Sequence, residues 1–253
     1  MIELNGKVVI VTGGGRGIGF GLSTALVKAG AKLVITGRTE STLLSAKEKL
    51  EKEYGAEVLT VAADGADEAA IQNVIDKTVE RFGRIDAVIN NAQASASGKM
   101  LIQHTKEDLD LAIYSGIYAT FFYMQKAYPH LKASKGCVIN FASGAGLFGR
   151  IAQSSYAAAK EGIRGLSRVA ATEWAPDGVR VNVICPLAMT EGLQKFKEEY
   201  PERYEQTIKG VPMGRFADPE KDVGGLCVFL CSDEASFITG ETITLQGGSG
   251  LRP

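Results

Sequence analysis

Histidine and cysteine are scarce in this chain, and the scarcity argues against metal chemistry. There are two histidines, His104 and His130, and four cysteines, Cys137, Cys185, Cys227 and Cys231. No two cysteines form a C-x-x-C pair, so no zinc or other metal site is expected. Cys227 and Cys231 stand four apart in an apolar helical pattern and are read as inert core thiols. Charge of one sign is also lacking. The formal net charge is -1, and no basic run or aromatic-interleaved patch of Lys and Arg appears. Nothing therefore favours nucleic acid or an anionic membrane as a partner. Long apolar runs are absent too: none approaches the ~18 residues needed to span a bilayer. The opening segment MIELNGKVVIVTGGG carries only a short apolar run, which reads as a first strand and not as a signal peptide, so the cytoplasm is the expected location.

What is present is an alternation of short β-branched runs with longer helical patterns. Strands are expected at Lys7–Thr12, Lys32–Gly37, Glu57–Ala63, Ala87–Asn90, Cys137–Phe141, Arg180–Ile184 and Thr242–Leu245. Helices are expected near 17–29, 40–54, 67–82, 106–132, 154–174 and 219–232. Most of the strands are continuously apolar, as in a sheet covered on both faces. The regular alternation predicts an α/β fold, a doubly wound parallel sheet of about seven strands. No linker or repeat divides residues 1–253, so a single domain is the economical reading. Two regions break the rhythm. The stretch Leu109–Met124 is apolar all round, which implies burial on more than one side, in the monomer or at an oligomer interface. The charged, amphipathic segment 187–211 is expected to be a lid at the carboxyl edge of the sheet.

Two clusters carry chemistry. The first strand runs into Gly13-Gly14-Gly15-Arg16-Gly17-Ile18-Gly19 and then into a helix. Glycines allow the tight turn and a close backbone approach to a pyrophosphate, and the helix offers free N–H groups and its positive dipole end. The second strand ends in Gly37-Arg38-Thr39, where an acid would usually grip a ribose 2′-hydroxyl. Arg38 and Arg16 could instead clamp a 2′-phosphate, so NADP(H) is expected over NAD(H), unless both are merely solvated surface arginines. In the second cluster, Tyr156 and Lys160 are spaced i, i+4 and share a helix face. A nearby ammonium favours phenolate, so the tyrosine pKa is expected to fall toward the range useful for general acid–base work. Ser143 follows the fifth strand, where it could orient a carbonyl oxygen, and Asn90-Asn91-Ala92 closes the fourth strand at the same edge.

In this order along the chain, TGGGRGIG at 12–19, Asp64, NNA at 90–92, Ser143, YAAAK at 156–160, Pro186 with Thr190, and TGETITLQGG at 239–248 resemble the short-chain dehydrogenase/reductase family over nearly the whole length. The resemblance implies a Rossmann-type fold and a homodimer or homotetramer built on the two long helices. It implies Tyr156 as the acid/base, Ser143 on the substrate oxygen, and Lys160 on the cofactor ribose while lowering the tyrosine pKa. It also implies Asp64 at the adenine, Asn90 and Ala92 along the cofactor, and Pro186 and Thr190 near the carboxamide. Four positions depart from the family pattern: Gln93 and Leu187 replace glycines, Gln246 replaces an aspartate, and Gly116 stands where many members carry the asparagine that holds a relay water. Ser115 or an extra water is expected to complete that relay, with glycine preserving a local helix distortion.

The leading expectation is interconversion of a ketone and a secondary alcohol. A nucleotide-binding regulator or scaffold without turnover remains the alternative, motivated by Gly116, Gln93 and Leu187. Enoyl reduction, epimerisation or a lyase reaction has no specific support. Residues 93–100, 144–153 and 187–211 are expected to line the substrate pocket, with Leu147, Phe148, Met189 and Leu193 apolar. A hydrophobic or alicyclic ketone, a steroid-like ring or a 3-oxoacyl thioester is compatible with them. The tail Ser249–Pro253 could reach a neighbouring subunit.

Overall fold

A computed structural model describes residues 2–250; the last three residues of the tail, and whatever they contact, lie outside them. Seven strands form one parallel sheet: β1 (Val8–Thr12), β2 (Lys32–Gly37), β3 (Val58–Ala62), β4 (Ala87–Asn90), β5 (Cys137–Phe141), β6 (Arg180–Pro186) and β7 (Thr242–Leu245). Their order is β3-β2-β1-β4-β5-β6-β7, and every pairing is parallel. The chain reverses its direction of travel between β1 and β4, and this is where open α/β sheets leave a crevice for ligands.

Residues in β1 show how the layers arise. All five are buried, and successive side chains point to opposite faces. Val9 and Val11 join one apolar cluster with Leu22, Leu26 and Leu43. Val8 and Ile10 join the other with Ile71, Val74 and Leu131. The helices that close the first layer are α1 (Gly17–Lys28) and α2 (Glu40–Tyr54). Helix α3 (Glu68–Phe82) closes the second, its start fixed by Asp67, whose carboxylate accepts from the Ala69 and Ala70 amides.

The expected helix at 106–132 is a composite. Helix α4 (Lys106–Ala112) passes through a π-helical turn at Ile113–Tyr118 into α5 (Ala119–Ser134). The distortion falls on the turn that contains Gly116. Beyond β5 come a short α6 (Gly144–Phe148) and the long α7 (Ser154–Trp174). The 187–211 excursion contains α8 (Glu191–Glu199) and α9 (Pro201–Ile208), mostly exposed, with Tyr204 as its buried anchor. A second π-helical turn, Pro219–Gly224, leads into α10 (Gly225–Cys231), which buries Cys227 and Cys231. Among the described residues none of the four cysteines is in a disulfide, and all four are buried. No helix among those residues is long and apolar enough to cross a membrane.

Candidate active site

The glycine loop is built so that only glycine fits at its crossing point. A Cβ on Gly19 would stand 2.0 Å from the Gly13 carbonyl oxygen, and Gly13 itself has φ +69°. Thr12 and Asn91 fasten this loop to the end of β4. The Thr12 hydroxyl accepts from the Asn91 and Ala92 amides at 3.0 Å each, and the Asn91 side chain donates to the Thr12 carbonyl at 2.9 Å. Arg16 precedes α1 without a side-chain cap, so the first amides of that helix stay available to an anion.

A cleft of about 810 Å³ opens above this loop. Gly13, Gly15, Arg16, Gly17, Ile18 and Gly19 form one wall. Arg38 and Asp64 lie along it, both exposed, and Asn90, Ala92 and Thr190 complete it. An open glycine cradle, an uncapped helix and a buried, unpartnered Asn90 Oδ1 fit a pyrophosphate-linked dinucleotide. Pro186 stands apart from these lining residues, at the end of β6 in register with Leu245. Thr190 also caps α8, accepting from the Leu193 amide. A second hollow of about 970 Å³, between Met213–Asp222 and Thr244–Gly250, includes none of the expected site residues.

Ser143, Tyr156 and Lys160 gather beside this cleft, one strand over. Asn90 of β4 pairs with Asn140 of β5, and the next residue, Phe141, accepts a 2.6 Å hydrogen bond from Lys160 Nζ. Ser143 follows two residues later, its hydroxyl accepting from the Ala145 amide to start α6. Lys160 Nζ lies 5.5 Å from the Tyr156 ring centroid.

The electrostatics correct one expectation. Lys160 is only 3% exposed, and burial holds its amine down at about 7. Burial also raises the Tyr156 phenol above its ordinary value, with hydrogen bonding from Ser143 pulling the other way. Tyrosine was expected to fall under a lysine charge. An amine this dry is itself driven toward neutrality, so it is a weak source of the field that expectation required. Cys185 on β6 is a further neighbour of both groups and pushes both pKa values upward; nothing in the sequence pattern had marked it.

Ser115 is engaged with the backbone of the loop after β4 and of α4. Its hydroxyl accepts from the Ala94 amide and contacts the Ala94 and Leu111 carbonyls, at 3.0 and 2.6 Å. These bonds clip the loop after β4 onto the π-helical turn. Also unforeseen is a buried network in which Asn140 accepts from Asn90 and donates to Ser167, each at 2.8 Å. The N-N-A motif marked Asn90, but its partners lie fifty or more positions away. Asn91 was visible in the same motif; its role in holding the glycine loop depends on Thr12.

A doubly wound sheet with a glycine cradle beside a Ser–Tyr–Lys cluster defines a class of nicotinamide-dependent oxidoreductase. A sequence profile described as enoyl-(acyl carrier protein) reductase matches residues 13–249, and the chain belongs to the short-chain dehydrogenase/reductase family. It is 58% identical over 255 residues, covering 98% of each chain, to a 12α-hydroxysteroid dehydrogenase of Clostridium sp.. Among solved structures it resembles levodione reductase, with a TM-score of 0.90, 32% identity and 97% and 98% of the two chains covered. It also resembles the L-sorbose reductase of Gluconobacter frateurii complexed with NADPH and L-sorbose, with a TM-score of 0.93, 27% identity and 100% and 99% covered. The chain is an oxidoreductase that uses a nicotinamide cofactor and works between a secondary alcohol and a ketone. A regulator without turnover is not favoured by relatives of this kind.

Proposed function

We propose that this protein interconverts a 12α-hydroxysteroid and the corresponding ketone, with Tyr156 as general acid/base and NADP(H) as the preferred cofactor. The observation that carries the reaction is the Tyr156 phenol, set between Ser143 and Lys160 at the carboxyl edge of β5. The relative at 58% identity supports the substrate class. Apolar Leu147 and the exposed Phe148 and Ile151, at and just beyond α6, suit a rigid fused-ring substrate.

In the reductive direction the Ser143 hydroxyl donates to the substrate oxygen and orients the carbonyl. Hydride for the carbonyl carbon is supplied by the bound nicotinamide. Tyr156 gives its proton to the developing alkoxide, a transfer that a positioned acid accelerates by about 10²–10⁴. Burial favours the neutral phenol, which is the form this step consumes. Lys160, fixed by Phe141, would hold the cofactor ribose and return a proton to Tyr156.

Arg16 and Arg38 would grip a 2′-phosphate. Both are exposed along the cleft, and neither is in an ion pair among the described residues. Asp64 would meet the adenine, and Thr190 the carboxamide end. The segment 187–211, carrying α8 and α9, would act as the lid. Residues 1–253 form one functional unit in this reading. Tyr114, Tyr118 and Phe121 leave an exposed aromatic surface on the composite helix, with Tyr114 and Tyr118 stacked at 5.2 Å, which supports a homo-oligomer, dimer or tetramer. The direct experiment offers 12α-hydroxy and 12-keto steroids, with simpler alicyclic ketones for comparison, to the protein with NADP(H) and with NAD(H). Turnover of the steroid with NADP(H) at the highest kcat/KM is expected. Selective turnover of small ketones would overturn the substrate assignment.

A further inference from the structure

Among the described non-glycine residues, Lys135 and Ala152 hold a left-handed backbone, with φ of +52° and +61°. Lys135 ends α5, where such a turn is ordinary. Ala152 ends no helix. It lies in the loop between α6 and α7, just ahead of Tyr156, and its Cβ makes that conformation costly. A backbone held in this way persists only where its surroundings fix it, and such residues gather at ligand-binding sites.

The Ala152 carbonyl accepts from the Gly98 amide at 2.9 Å, which bridges this loop to the one that follows β4. Each loop is anchored close to the bridge. The Arg150 amide donates to the Ala145 carbonyl of α6 at 3.1 Å, and the Gln153 carbonyl accepts from the Ala157 amide in the first turn of α7. On the other side, Ser115 holds both backbone groups of Ala94, and the Lys99 ammonium pairs with Asp108 at 2.7 Å. Exposed apolar side chains flank the bridge: Ile151 beside Ala152, and Met100, Leu101 and Ile102 just beyond Gly98, with Ile151 78% and Ile102 95% exposed. Apolar surface gathered in this way marks a binding site. It stands next to the reacting groups, because Ala94 lines the cofactor cleft and the Arg150 charge is near enough to act on the Tyr156 phenol.

We propose that Ala152 is a positioning residue that sets substrate specificity: its left-handed backbone, bonded to Gly98, joins the two loops into one rigid apolar rim beside Tyr156, and that rim selects a rigid fused-ring body over a small flexible ring. The inference rests on the steroid reading above and names what enforces it. A rim already fixed in the bound shape loses no freedom when a flat, stiff substrate docks, and it gives a small ring too little surface to gain from. Ile151 supplies apolar contact, and Ala152 holds it in place.

Three variants test this: Ala152→Gly, Ala152→Asn and Ile151→Ser. Glycine and asparagine both relieve the strain at 152, but only glycine also opens the rest of backbone space, so only glycine frees the rim. Two quantities are read for each protein. One is the ratio of kcat/KM for a 12-keto steroid to that for a small alicyclic ketone. The other is hydrogen exchange of peptides spanning 94–103, which reports whether the Gly98 amide is still bonded. In Ala152→Gly exchange should quicken and the ratio should fall at least about fivefold, a discrimination of the size apolar contacts supply, with the loss in the steroid's KM and not in kcat. Relief of strain and added freedom of the unfolded chain oppose one another, so its Tm should move little. Ala152→Asn should keep both the slow exchange and the ratio. Ile151→Ser should keep the slow exchange and lose about tenfold in the ratio, because the contact is gone while the bridge remains. Between the two variants at 152 the ratio should follow the exchange; a variant that frees the Gly98 amide and keeps the ratio, or keeps the bond and loses the ratio, would overturn the proposal. A wild type that prefers small ketones would overturn the steroid assignment and this inference together. A wild type that prefers the steroid, with Ala152→Gly keeping that preference, overturns this inference alone.

Discussion

Lys160 donates a 2.6 Å hydrogen bond to the carbonyl of Phe141, the last residue of the strand that also delivers Ser143. The bond ties a dry amine to the edge of the sheet and gives the fold a pH signature. In the folded protein this amine titrates near 7, against 10.5 in its ordinary state. Below pH 7 it is charged in both folded and unfolded chains, and burying that charge costs its full amount. Between 7 and 10.5 the folded protein has released the proton and the unfolded chain has not, so stability from this group rises with pH. Lys160→Met removes the group. Relative to wild type the variant should therefore be best off at pH 6, and its advantage should shrink by about 3 kcal/mol by pH 9.5. Denaturant melts of the two proteins without cofactor, at several pH values, measure it.

The raised phenol of Tyr156 predicts an asymmetry between the two reaction directions. Ketone reduction consumes the protonated form, which burial preserves, so the phenol itself should impose no fall in kcat/KM from pH 6 to about pH 8, and any change there should track the Lys160 amine. Alcohol oxidation needs the phenolate and should rise through the alkaline range, about tenfold per pH unit well below the pKa. Steady-state profiles in both directions test this; oxidation already at its plateau at pH 6 would contradict it.

Selectivity for the cofactor should rest on exposed arginines and therefore be salt-sensitive. Arg38→Ala should raise the KM for NADPH about tenfold, the scale of one lost charge-assisted contact, and leave NADH within about twofold. Arg16→Ala should act in the same direction. Isothermal titration with each cofactor at low and high salt measures both effects.

Much of this was legible in the chain itself, because the signals were local. The buried run Val8–Thr12 followed by crowded glycines has few structural solutions, and the i, i+4 spacing of Tyr156 and Lys160 fixes their common face. Helices α8 and α9 were visible only as an amphipathic excursion, since their apolar stripe is narrow and little of it is buried. The fit of Gln93 against Gly116, where a Cβ would lie 2.8 Å from Gln93 Cδ, was not legible. Each departure could be read singly, but their complementarity requires the loop after β4 to fold onto the π-helical turn. The direction of the Tyr156 shift was also hidden, because it depends on how far water is excluded from Lys160.

The most direct test of the chemistry is a single-turnover measurement on Tyr156→Phe, with NADPH pre-bound and a 12-keto steroid added by rapid mixing. Removing the hydroxyl while keeping the ring should slow the decay of NADPH absorbance at least about 100-fold. Cofactor affinity and Tm should stay near wild type. Turnover at the wild-type rate would show that the phenol does not deliver the proton and would contradict the mechanism.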